Sequence, residues 1–129
     1  MRQEPGADVD KTARLIVDAA FAVHKTLGPG LLESDHEQCL ALELIDRGAS
    51  VARQSLLPLR YRGHVIEAAF RTDLLVDSLV IVEVKAIDAL ASIHSAQLLT
   101  YLKLSSYRLG LLINCNTVLL KDGIKRLIA

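Results

Sequence analysis

The sequence predicts an α/β domain with a mixed central sheet flanked by helices and an extra helix at the N-terminus. Three observations point there. Apolar residues recur at helical spacing over the first third of the chain. From Val51 the period falls to two, as in half-buried strands. Further on, a helical stretch separates two short apolar runs, which is how a crossover joins parallel strands.

The first helix is expected over Thr12 to Leu27, where Leu15, Ile16, Ala19, Val23 and Leu27 form one stripe. Gly28-Pro29-Gly30 ends it. A second helix is expected from about Leu32 to Arg47, with Leu40 and Leu44 facing inward and Gly48 past its end. Ser34 followed by Glu37 fits a capping box. Leu57, Leu59 and Tyr61 alternate with Pro58, Arg60 and Arg62 in the first strand. Arg62-Gly63-His64 turns, and Val65 to Val76 is the second strand. Asp77-Ser78 turns again into Leu79 to Lys85, an apolar run suited to a strand covered on both faces. Ala89 to Ser105 reads as the third helix, Leu109 to Asn114 as a buried strand, and Gly123 to Ile128 as a short last strand. Residues 1–11 are expected as a flexible leading segment and 12–129 as one domain.

Composition narrows the class. The chain has 129 residues, of which 51% are hydrophobic and 23% charged, so it can bury a core and is not a disordered segment. There is no apolar run of membrane-spanning length and no apolar stretch of signal-peptide type near Met1, which predicts a cytoplasmic protein with no membrane partner. Cys39 and Cys115 form no metal-binding pair and read as reduced, mostly buried thiols. Net charge is zero, yet residues 1–48 hold nine acids against five bases and residues 49–129 six acids against ten bases. The basic part could face phosphate, or could be ordinary solvated surface. Phosphate-loop, serine-elbow and zinc-protease patterns are absent from the sequence.

The informative feature is charge inside an apolar strand. Alternation puts Glu83 and Lys85 on one face of the run and Val82 and Val84 on the other. A buried carboxylate costs several kcal/mol unless it is paired or binds a metal. Asp73 lies on the preceding strand, and two converging carboxylates with a backbone carbonyl suit Mg²⁺ or Mn²⁺. A neighbouring lysine can then align water or stabilise phosphorane charge. The alternative is that Glu83 and Lys85 form plain salt bridges at a strand end. Register separates the two readings. A two-residue turn at Asp77-Ser78 would set Asp73 opposite Val82, with Glu83 on the other face. Convergence therefore requires a three-residue loop or a bulge between Val76 and Val80.

Asp73 followed ten residues on by Glu83-Val84-Lys85 resembles the D…ExK signature of the PD-(D/E)XK nuclease superfamily. Gln97 and Tyr101, at i,i+4 on one helix face, resemble its QxxxY motif. Val23 to Glu33, Arg53-Gln54, Tyr61-Arg62-Gly63, His94 to Gln97, Leu109 to Asn114 and Gly123 to Arg126 are similar to the GxxExxY family, a bacterial branch of that superfamily. The resemblance implies a restriction-endonuclease-like αβββαβ core and a Mg²⁺-dependent nuclease. It implies metal ligands at Asp73, Glu83 and the Val84 carbonyl, with Glu33 reaching the metal directly or through water. It implies that Lys85 is the catalytic lysine and that Gln97 and Tyr101 line the site. Glu33 has another reading, as an acid that complements a helix dipole. One departure stands out: the family has tyrosine three residues after the glutamate, where this chain has His36. His36 could replace the tyrosine's hydrogen bond, add a metal ligand, or mark drift in the site.

Two functions follow. One is a metal-dependent nuclease acting on DNA, less readily RNA, with Arg60, Arg62, Arg71, Lys103 and Arg108 as backbone contacts. The other is a weakly active or non-catalytic nuclease-like module working with a protein partner. The small size leaves room for a homodimer in either case. In a live site the acids and Lys85 surround an open pocket; in a vestigial one Lys85 neutralises both acids.

Overall fold

The computed structural model describes residues 5–129. Helices α1 (Ala7–Leu27) and α2 (Glu33–Asp46) lead into strands β1 (Val51–Tyr61), β2 (His64–Val76) and β3 (Val80–Lys85). Helix α3 (Ser92–Leu104), strand β4 (Leu109–Asn114), a 3-10 turn (Leu120–Gly123) and strand β5 (Ile124–Ile128) follow. The sheet order is β1-β2-β3-β4-β5. β3 and β4 run parallel, joined by α3, and the other neighbours are antiparallel. The mixed α/β architecture expected from periodicity is the one observed.

The start of α1 is a correction. The helix begins at Ala7, five residues before the expected Thr12; residues 1–4 lie outside the described residues. Asp8 and Asp10 in the first turn complement the helix dipole. Asp10 also pairs with Arg14 at 2.9 Å and with Arg126 at 3.6 Å, tying the turn to β5. Polar composition hid this turn from a reading based on apolar spacing.

The sheet is covered on both faces. On one, Ile16, Ala19 and Ala20 of α1 and Leu40, Ala41 and Leu44 of α2 pack on Leu74, Val76, Val82, Val84, Leu111 and Ile113. On the other, Leu98 and Leu102 of α3 pack on Leu57, Leu75, Ile81 and Leu112. β3 and β4 are buried almost throughout, which explains their unbroken apolar runs. Gly110 lets α3 sit close, because a Cβ there would stand about 3.0 Å from the Leu98 side chain.

The β1–β2 hairpin outgrows these layers. Arg62 and Gly63, both at positive φ, make its two-residue turn between paired Tyr61 and His64. Leu57 is buried, but Tyr61, expected on the inner face, is 57% exposed because neither helical layer reaches the hairpin's outer half. Among the described residues no helix is long and apolar enough to cross a membrane. Cys115 is buried and Cys39 only half-buried, and neither forms a disulfide.

Candidate functional site

The β2–β3 connection is a three-residue loop. Val76 pairs with Val80, Leu75 with Ile81 and Leu74 with Val82, leaving Asp77, Ser78 and Leu79 outside the ladder. Asp77 and Ser78 both take φ +54 without a glycine. Each such residue is disfavoured by roughly 1–2 kcal/mol, less for Asp. The Asp77 side chain holds the loop: its carboxylate accepts from Ser50 N–H at 2.8 Å and from the Thr12 hydroxyl at 3.2 Å. One residue beyond the paired segment, this register sets Asp73 against Glu83.

The two carboxylates meet there. Asp73 N–H donates to Glu83 Oε2 at 3.3 Å, and Val84 N–H donates to Asp73 Oδ2 at 2.8 Å. Glu83 is 8% exposed. Burial, then the Asp73 charge and a hydrogen bond shared between the two carboxyl groups, push the Glu83 pKa up to about 9. At neutral pH the metal-free pair therefore keeps a proton. Lys85 lowers the Glu83 pKa only weakly, and it ion-pairs with neither acid. The plain salt-bridge alternative for Glu83 and Lys85 is not what the structure contains.

Glu33 opens α2 and points toward the same region. Its pKa is raised by burial; Lys85 opposes this, Asp73 and Glu37 add to it, and the Ala86 backbone supplies a hydrogen bond. The expected Ser34 cap is a correction: the N-cap is Leu32 and makes no side-chain cap bond. Glu37 turns inward instead, 5% exposed, and accepts from Arg53 Nη2 at 2.9 Å and Gln54 Nε2 at 2.7 Å. Sequence reasoning overlooked Glu37 as a site residue. Its i,i+4 spacing from Glu33, which aligns the two acids on one helix face, was the available signal.

On α3, Gln97 Nε2 donates to the Tyr101 hydroxyl at 2.9 Å, so the two residues do act together. Tyr101 stacks on Phe70 with centroids 4.4 Å apart. Its pKa is raised by burial and then by the Glu83 and Asp73 charges, which places the ring beside the acids. At the end of β4, Asn114 clamps the loop after Lys85: its side chain donates to the Ile87 carbonyl at 2.9 Å and accepts from Ile87 N–H at 3.1 Å. A buried Asn ending an apolar strand was the signal for this residue.

The histidines have other work. His36 is 1% exposed, neither ring nitrogen has a hydrogen-bond partner, and the ring lies near His24 and the Gly28 backbone. His24 Nε2–H donates to the Thr117 carbonyl at 2.7 Å. His94 Nδ1 accepts from Ala91 N–H at 2.9 Å and so closes the start of α3.

Among the described residues no three His, Cys, Asp or Glu side chains are arranged to hold a metal ion. Two carboxylates still fit a hard divalent cation that completes its shell with water and phosphate oxygens, as Mg²⁺ usually does. The crowded Asp73–Glu83 pair, with which no cationic side chain among the described residues forms an ion pair, is the observation that favours such a fit.

The profile of the PD-(D/E)XK nuclease superfamily matches residues 10–127. No curated protein and no solved structure gives a significant match. The match runs from the first turns of α1 into β5, includes the Asp73, Glu83-Val84-Lys85 and Gln97-Tyr101 positions, and the chain belongs to the PD-(D/E)XK nuclease superfamily.

Proposed function

We propose that this protein is a Mg²⁺- or Mn²⁺-dependent nuclease that hydrolyses phosphodiester bonds in DNA. The observation that carries the reading is the convergence of Asp73 with the buried Glu83, held by Asp73 N–H on Glu83 and Val84 N–H on Asp73, while Lys85 ion-pairs with neither acid. A vestigial site would be expected to use Lys85 as the internal counter-ion, so this arrangement favours the enzyme over the interaction module. Superfamily membership supports nuclease chemistry.

Asp73, Glu83 and the Val84 carbonyl would hold the ion, with Glu33 as a direct or water-linked fourth contact. The bound ion would supply Lewis-acid polarisation of the scissile phosphate and a more acidic water. Lys85, at the end of β3, aligns the attacking water and offsets charge on the phosphorane. Gln97 and Tyr101 line the α3 side and orient phosphate oxygens. Asn114 fixes the loop that follows Lys85, which limits where the ammonium can reach. Arg60, Arg62 and Arg71 lie on the exposed hairpin and suit contacts to the nucleic-acid backbone, not to base edges.

Calorimetric titration of Mn²⁺ into the native chain, Asp73→Ala and Glu83→Ala tests the site. Binding by the native chain alone is the expected result. A folded native chain that takes up no Mn²⁺ would remove the proposal.

A further inference from the structure

We propose that Glu37 and Gln54 are positioning residues that set the orientation of the Asp73 carboxylate, an inference that rests on the metal-dependent reading above. Gln54 Nε2 donates to Glu37 Oε1 at 2.7 Å and lies 3.4 Å from Asp73 Oδ1. An amide nitrogen has two hydrogens, and these two acceptors use both. The other Asp73 oxygen is held by Val84 N–H at 2.8 Å. Both oxygens of Asp73 are thus fixed, one by the backbone of β3 and one by Gln54.

Gln54 is itself anchored through Glu37, whose Oε2 accepts from Arg53 Nη2 at 2.9 Å and from Nε at 3.3 Å. Both oxygens of the buried Glu37 carboxylate thus accept hydrogen bonds from β1, as a buried carboxylate requires. The backbone bends to make this possible. Gln54 takes φ +51, and the β1–β2 ladder runs from Arg53–Leu74 to Ser55–Thr72 with no pairing at Gln54 and Asp73. A glutamine rarely adopts this left-handed conformation, and structures that hold such strain tend to do so at functional sites. The skipped step frees Asp73 to turn toward Glu83, and the Gln54 amide takes the place of the missing ladder contact.

A simple ion pair between α2 and β1 would need only Arg53 and Glu37. It would give no reason for the Gln54 amide to reach Asp73. Supporting groups of this kind typically change metal affinity about 10–100-fold when removed.

The test is Mn²⁺ calorimetry, with thermal unfolding of the same samples, on the native chain, Gln54→Ala, Glu37→Gln and the double variant. Gln54→Ala is neutral, sits on an exposed residue and is chosen because it should fold. It is expected to weaken Mn²⁺ binding by about tenfold with little change in Tm. Glu37→Gln is expected to act in the same direction, and the double variant to bind no worse than the weaker single, because the two groups act in series. If both single variants bind Mn²⁺ like the native chain while Asp73→Ala does not bind, the positioning role is overturned and the metal site stands. If the native chain binds no Mn²⁺, both fall together. Should Glu37→Gln fail to fold, Gln54→Ala alone decides between these outcomes.

Discussion

In the metal-free protein, Glu83→Gln should raise stability at pH 8 and leave it nearly unchanged at pH 5. Glu83 has a folded pKa of about 9 against an ordinary value of 4.5. Its folded pKa is raised, so stability is fullest below the unfolded value and is lost as pH rises through the window from about 4.5 to 9. At pH 8 the folded protein must either carry a proton that the unfolded chain lacks or bury two like charges. Each pH unit across the window is worth at most roughly 1.4 kcal/mol. The coupling to Asp73 and the swap of an acid for an amide take back part of this. A net gain of about 1–2 kcal/mol is therefore expected at pH 8, and each kcal/mol moves Tm by roughly 4 °C in a domain of this size. At pH 5 the native Glu83 is already protonated when folded, and a glutamine resembles that form. Thermal unfolding followed by circular dichroism, with chelator present, compares the two proteins at both pH values. An equal Tm change at pH 5 and pH 8 would refute the claim that Glu83 sits uncompensated beside Asp73.

Other outcomes follow from the same structure. Divalent metal needs Glu83 ionised, so Mn²⁺ affinity should rise between pH 6 and pH 8; calorimetry in buffers of differing ionisation enthalpy should show proton release on binding. His36 is buried with unpartnered ring nitrogens and a lowered pKa, caused first by burial and then by His24. The fold therefore resists protonating it and loses stability as pH falls through the ordinary histidine range, so His36→Leu should raise Tm more at pH 5 than at pH 8. A methyl group at Gly123 would collide with the Asn114 backbone carbonyl, so Gly123→Ala should destabilise the fold by about 1–3 kcal/mol, measurable by urea unfolding.

The parts of this fold that were legible in the sequence are those set by periodicity and by solvation. β3 and β4 announce themselves because strands covered on both faces have no polar positions to spare. Glu83 breaks that rule, and the exception points to the candidate site. The length of the β2–β3 loop could be reasoned out in advance, since only an odd register lets Asp73 meet Glu83. What stayed hidden depended on partners distant in sequence. Glu37 read as half of a capping box with Ser34, but Arg53 and Gln54, 16 and 17 residues away, draw it inward. The first turn of α1 is held by Asp10 pairing with Arg14 and Arg126 and carries little apolar signal. Tyr61 alternates correctly yet stands outside the core, because alternation reports which face a residue is on and not how far a helix extends over it.

The most direct test of the central claim is cleavage of single- and double-stranded DNA by the native chain, Asp73→Ala and Lys85→Ala, with Mn²⁺ and with chelator. The expected result is metal-dependent cutting by the native chain, none by Asp73→Ala, and a loss of at least about a hundredfold for Lys85→Ala with its Mn²⁺ binding retained. Undiminished cutting by Lys85→Ala, or no cutting of either DNA by a native chain shown to bind Mn²⁺, would contradict it.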